Sequence, residues 1–401
     1  MMRRMIIVYF SGLLLLSAQS LTVDPSVYKI LDDISTDQLE KYVTKLVNFG
    51  TRHTLSDTVS NTRGIGAARR WIKKEFEEIS KDCGGCLEVE EQWSLAKGNP
   101  KSRIKRDTWI VNIYAVKRGT KYPNRYVIMS GDIDSRISDP LDGKGNSPGA
   151  NDNASGMAGA IELARVLSKH DFPTSIILAG LSGEEQGLFG GRFLAEKAKK
   201  EGWEIVGILN NDMIGNIEGV DGVIDNRTFR IFSEPYSILE TEKQLKQKRF
   251  YGGENDGESR QLARHAFAST KIYLPEMNPL LIYRLDRFGR GGHHRPFNEA
   301  GFPGVRIMEA HENYNRQHQD IRTENGIKYG DVIEGVNFDY CAKLTAVNAA
   351  ALVTLAMAPP KPKNVKIGGI VKPFTVLSWD KVDGAAGYKL YWRDTTAPTW
   401  K

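Results

Sequence analysis

Tyr126-Val127-Ile128-Met129-Ser130-Gly131-Asp132-Ile133-Asp134 is the stretch whose reading decides the fold. An apolar run of strand length ends there in two aspartates one residue apart. The arrangement recurs down the chain. Residues 175–181 are apolar and are followed by Glu184 and Glu185; residues 205–209 are apolar and are followed by Asp212. Residues 305–308 form a fourth short run. Between the runs, Ile65, Ala68, Ile72, Phe76 and Ile79 recur at helical spacing, as do Met157, Ala160, Ile161, Ala164 and Leu167. Ser35-Thr36-Asp37-Gln38 resembles a capping box opening a helix that carries Leu39, Tyr42, Val43 and Leu46. Short apolar runs alternating with amphipathic helices predict an α/β fold, a mostly parallel mixed sheet flanked by helices. Ligands bind such sheets beyond the carboxyl ends of the strands. Asp132, Glu184, Glu185 and Asp212 all fall there.

Two further residues extend the set. Asp152 lies in Gly149-Ala150-Asn151-Asp152-Asn153-Ala154-Ser155-Gly156, and His318 in Glu312-Asn313-Tyr314-Asn315-Arg316-Gln317-His318. Carboxylates gathered at strand ends repel one another unless a cation holds them. One imidazole among several carboxylates points to a hydrolytic metal site. Taken singly, Asp152 reads as a helix cap, the Glu pair as a solvated turn and Asp212 as a turn former. Only their joint occurrence carries the metal reading.

These segments, with Gly183-Glu184-Glu185-Gln186-Gly187 and Asn210-Asn211-Asp212, closely resemble the M28 family of metallo-aminopeptidases over about residues 35–358. The resemblance implies a zinc-peptidase-like fold, peptide substrates with a free N-terminus, and two zinc ions per chain, with manganese or cobalt as substitutes. Asp152 would bridge the ions, Glu185 and His318 would complete one shell, and Asp132 and Asp212 would serve the other. Glu184 would be the general base that takes a proton from the attacking water, and Asp134 would orient the ligand on the first strand. The sequence departs from the family pattern twice. It has Asp132-Ile133-Asp134 where His-x-Asp is usual, and Gly292-His293-His294 where an Asp-His pair is usual. Three carboxylates around one ion suit zinc poorly. An exchange is therefore expected, in which His293, or else His294, supplies the nitrogen ligand or pairs with Asp132. The other histidines carry less: His53 and His311 read as structural or surface, His170 and His265 as solvated. Arg284, Arg287 and Arg290 could form a cationic rim for peptide carboxylates or simply a solvated loop face.

The chain has 401 residues, 40% hydrophobic and 26% charged, with a formal charge of +6. That is globular, and the mild charge without an aromatic-interleaved basic stripe argues against nucleic acid. Residues 1–20 read as a cleaved signal peptide, with Arg3 and Arg4 before an apolar stretch and Ala18-Gln19-Ser20 at its end. No later segment is expected to span a bilayer, so a secreted or periplasmic protein follows. Cys83-Gly84-Gly85-Cys86 is then expected to be a local disulfide and Cys341 a buried free thiol. The M28-like domain would run over residues 21–358, followed by a Pro-rich linker at 359–364. Residues 365–401 alternate at period two (Thr375, Leu377, Trp379; then Tyr388, Leu390, Trp392 after the Asp383-Gly384 turn). They resemble the first strands of a fibronectin type III module, an all-β sandwich-like segment cut short of the roughly 100 residues such modules need.

The sequence thus predicts an exported metallo-aminopeptidase. Its rivals are carboxypeptidase or glutaminyl-cyclase chemistry on the same scaffold, and a non-catalytic binding protein on a decayed site.

Overall fold

The computed structural model describes residues 4–8 by their backbone and residues 23–401 apart from 370, 395 and 398. Most of the expected leader, residues 1–3 and 9–20, lies outside the described residues, as do residues 21 and 22.

The described residues form an eight-stranded sheet. Its strands are β1 (Glu88–Ala96), β2 (Thr108–Lys117), β3 (Tyr122–Asp132), β4 (Thr174–Leu181), β5 (Glu204–Asn211), β6 (Thr228–Ser233), β7 (Asn278–Ile282) and β8 (Gly304–Glu309). Their spatial order is β1-β2-β4-β3-β5-β8-β6-β7. Strands β4, β3, β5 and β8 run parallel; β2 and β6 flank them antiparallel. The chain leaves β3, crosses to β4 through the helix Gly156–Leu167, and returns to β5 on the other side of β3 through the helix Phe189–Glu201. The carboxyl end of β3 is therefore the point where the winding reverses, and a crevice opens there.

Both faces of the sheet are covered, which explains the uninterrupted apolar runs. Val127 and Met129 of β3 pack with Ile72, Phe76, Ile161 and Leu344 on one face. Tyr126 and Ile128 pack with Leu194, Ala198 and Phe297 on the other. Each such side chain contributes about 1.5–3 kcal/mol by burial. The helix Gly156–Leu167 lies directly against β3 because Gly131 has no side chain. A Cβ there would sit 2.4 Å from the Gly156 carbonyl carbon.

The structure corrects two expectations. The helix Phe338–Met357 is long and apolar enough to cross a membrane, contrary to the sequence reading. Its apolar surface is spent on the core instead, with Tyr340, Leu344, Val347 and Leu352 fully buried. His265 is not solvated; its Nε2 lies 3.1 Å from the Ala351 carbonyl and 3.0 Å from the Thr354 hydroxyl, tying two helices together. In the C-terminal segment Thr375–Trp379 pairs with Lys366–Gly368 and with Arg4–Val8, but no strand follows Trp379 among the described residues. Tyr388 instead folds back, its ring 5.1 Å from that of Trp379 and its hydroxyl accepting the Val382 amide. Among the described residues, residues 388–392 form no strand, although Trp392 exchanges two backbone hydrogen bonds with Lys401, and the segment is a small antiparallel all-β piece. Cys83 and Cys86 are joined by a disulfide, and Cys341 is a buried free thiol.

Candidate active site

Four loops at the carboxyl edge of the sheet build the site, each held by a buried polar anchor. After β3, the Asp134 carboxylate accepts the backbone N–H groups of Glu184 (3.2 Å) and Glu185 (3.1 Å) and the Thr54 hydroxyl (3.0 Å). Burial, and then the charge of Glu185, raise the Asp134 pKa to about 6. Asp134 thus fixes the turn that separates the two glutamate side chains. The Asp152 loop is pinned from both sides. Wholly buried Arg52 donates to the carbonyls of Ile133 (2.9 Å) and Gly149 (2.8 Å), and Asp331 accepts the amides of Asn151 (2.9 Å) and Asp152 (2.7 Å). Gln317 then donates to Asp152 Oδ2 at 3.0 Å.

Three side chains converge. His318 Nε2 lies 2.9 Å from Asp152 Oδ2 and 2.9 Å from Glu185 Oε1. The donor atoms of Asp152, Glu185 and His318 lie within 4.8 Å of one another. Burial alone would lower the His318 pKa, but Glu185 and Asp152 together raise it to about 9. Burial would likewise raise the carboxyls of Asp152 and Glu185, yet His318 holds both below their ordinary values. The histidine proton thus occupies a space bounded by two carboxylates. Beside them, Glu184 is pushed well above its ordinary pKa by burial, then by the charges of Glu185, Asp212, Asp132 and Asp152.

Two oxygens and one imidazole nitrogen around an open face fit a catalytic divalent ion, zinc in particular. One adjustment is needed. A neutral, metal-ligating ring carries its proton on Nδ1, and here the Arg136 guanidinium lies 2.6 Å from that atom while also donating to Glu185 Oε2 at 2.7 Å. Arg136 is a side chain and can withdraw from Nδ1.

The other expected ligands lie apart from this group. Asp132 is buried; its Oδ2 accepts the Asn153 amide at 2.6 Å and its Oδ1 faces His293 Nε2 at 3.6 Å. His293 Nδ1 accepts the Gly191 backbone N–H at 3.0 Å, so the neutral ring carries its proton on Nε2. A backbone amide cannot withdraw. His293 thus presents Nε2 toward Asp132 in this arrangement, across 3.6 Å. His294 turns away, its Nε2 2.8 Å from the Leu285 carbonyl. Asp212 pairs with Arg306 at 2.8 Å; burial raises its pKa, Arg306 lowers it, and the balance stands at about 7.

A cavity of about 530 Å³ opens over the cluster. Its floor holds Asp152, Glu184, Glu185, Asp212 and His318, and its rim carries Lys101, Arg103, Arg192, Arg287, Arg290 and Arg295. Of the three arginines singled out in the sequence, Arg287 and Arg290 line this rim, while Arg284 is exposed outside it. His53 is buried, near the Pro140 carbonyl and the Gln186 amide, as a structural residue.

The order of these residues along the chain matches a known pattern. The model for Peptidase family M28 matches residues 112–332, which hold every residue of the cluster. A "Probable zinc metalloprotease" of Pyrenophora teres f. teres (strain 0-1) is 43% identical over 383 residues, covering 94% of this chain and 79% of the relative. The chain belongs to peptidase family M28. Solved structures share the fold at lower identity. The Legionella pneumophila LapA aminopeptidase superposes with a TM-score of 0.57 at 18% identity, over 83% of this chain and 75% of LapA. A Porphyromonas gingivalis glutaminyl cyclase gives 0.54 at 18%, over 81% of this chain and 99% of the cyclase. M28 membership accounts for the ordered acidic motifs. The sequence reading missed Arg52, Arg136, Arg306 and Asp331.

Proposed function

We propose that this M28 protein is an exported zinc exopeptidase that removes N-terminal residues from peptides. The observation that carries the reading is the Asp152–Glu185–His318 cluster with Glu184 beside it, at the point where the sheet reverses its winding. The relatives described as probable zinc metalloproteases support zinc; manganese or cobalt as substitutes rest on the carboxylate-rich donor set. When bound, the ion supplies Lewis acidity, polarising a carbonyl and acidifying water. The chain's own residues do the rest. Glu184 takes a proton from the attacking water and delivers it to the departing amine. Asp134 holds the backbone of Glu184 and Glu185 so that the base and the ligand diverge. The carboxylate-rich floor favours an α-ammonium group, and the arginine rim favours the peptide's carboxylates. This polarity supports an aminopeptidase over a carboxypeptidase. Export is supported by the leader-like residues 1–20 and the Cys83–Cys86 disulfide.

A second reading has specific support. The donor cluster contains three residues, enough for one ion, and glutaminyl cyclases share the fold. Aminoacyl, N-blocked and N-terminal glutamine substrates separate the two readings. Aminopeptidase activity predicts release of free amino acids from the aminoacyl and N-terminal glutamine substrates but not from the N-blocked ones, abolished by chelation and restored by zinc. Cyclisation of the glutamine substrate without peptide-bond cleavage would replace that reading with the cyclase one.

A further inference from the structure

The residues expected to hold a second ion do not fit one. Arg306, on β8, is fully buried and reaches the place where Asp212 would need a metal. One of its terminal nitrogens donates to Asp212 Oδ2 at 2.8 Å and to the Asp212 carbonyl at 3.2 Å. The other reaches both oxygens of Asp286, at 3.3 and 3.2 Å, and the Gly291 carbonyl. The guanidinium thus already supplies a fixed positive charge to two buried aspartates. Asp132 is half occupied. Asn153 takes one of its oxygens, and the other faces a His293 nitrogen that carries a proton because the Gly191 amide claims the opposite side of the ring. Asp132 Oδ1 and His293 Nε2 are both buried without a hydrogen-bond partner among the described residues. Closing the 3.6 Å between them satisfies both at once, with no ion. Asp132, moreover, does not line the cavity from which an ion would enter.

We infer that this chain binds one catalytic ion, and that the buried Arg306 guanidinium stands where a second would sit, balancing Asp212 and Asp286. A divalent ion beside a guanidinium locked by five acceptor atoms would meet like charge at close range in a poorly solvated site. Arg306 is a positioning residue. It does not line the cavity and acts through Asp212, which does. The arrangement makes the family's two-ion scheme into one ion plus one permanent protein cation.

This inference rests on the proposed Asp152–Glu185–His318 seat, and a single measurement separates the two. Metal content of the intact protein is read by mass spectrometry under native conditions after chelation and titration with zinc. One ion per chain is expected at saturation. No bound zinc would remove the seat itself, and two ions per chain would overturn the present inference while leaving the seat in place. Asp212→Asn should still bind one ion, whereas a drop from two to one would identify Asp212 as a ligand. Arg306→Gln removes the cation paired with Asp212 and leaves Arg287 as the arginine beside Asp286. The folded variant should take up a second, weaker zinc ion, and stoichiometry held at one would overturn the role given to the guanidinium. If Arg306→Gln does not fold, the wild-type and Asp212→Asn stoichiometries still decide the question.

Discussion

Asp152 and Asp212 are buried aspartates facing one cavity, yet their counter-charges differ in kind. Asp152 faces His318, whose positive charge is a removable proton. Asp212 faces Arg306, whose charge is permanent at any accessible pH. A proton held between carboxylates can be exchanged for a metal ion, with the proton released as the ion enters. A guanidinium anchored to Asp212, Asp286 and the Gly291 carbonyl cannot be exchanged. Two neighbouring groups of buried acids can thus solve the same charge problem, and only one of them remains a ligand site.

The largest expected effect tests the exchangeable side. Glu184→Gln keeps the three donors but loses the base, so kcat should fall by about 10²–10⁴-fold with zinc content unchanged. A variant with near-normal kcat would place the base elsewhere. A smaller effect is expected from the loop anchor. Asp331→Asn weakens acceptance of the Asn151 and Asp152 amides. Supporting residues of this kind typically cost about 10–100-fold in metal affinity or activity. If zinc affinity, measured by competition with a chelator, is unmoved while Asp331→Asn folds normally, the Asp152 loop is rigid without its anchor.

Much of this difference was legible in the sequence, and part of it was hidden. Acids at the ends of apolar runs gave the sheet edge, because strand ends and loop starts share one location in parallel sheets. The missed residues contact the site across long separations, as Asp331 does with Asp152 over 179 positions. Arg306 did leave a signal. It sits inside residues 305–308, a run read as apolar, and a charge inside a strand covered on both faces must find a buried partner. Reading that run as Val-Arg-Ile-Met, rather than as a strand alone, would have pointed to an acid on the neighbouring strand. The C-terminal segment was legible only in part, as a small antiparallel all-β piece. Period two shows that residues can form a strand and does not supply the strand they must pair with.

Strand β8 serves both sides, and its other charged residue gives the smallest and most discriminating effect. Glu309 lies three residues beyond Arg306, wholly buried, and accepts the Asn151 side-chain amide at 3.0 Å and the Asn216 backbone N–H at 3.1 Å. Burial raises its pKa and those donors lower it, leaving it at about 8 against an ordinary 4.5. A carboxyl raised in this way binds its proton more tightly in the folded state. Its contribution to stability is fully present below pH 4.5 and is lost as the pH rises through 8. Thermal unfolding of the metal-free protein should therefore show a midpoint that declines between pH 5 and 8. Glu309→Gln, neutral throughout and of the same shape, should decline less steeply over that window. The competing outcome is equally specific. If the donors from Asn151 and Asn216 outweigh burial, Glu309 is ionised in the folded protein at neutral pH. The Gln variant would then be uniformly less stable, with the slope between pH 5 and 8 unchanged. In that case the floor beneath the Asp152 loop would carry a negative charge of its own, and the removable proton on His318 would be balancing more than Asp152 and Glu185.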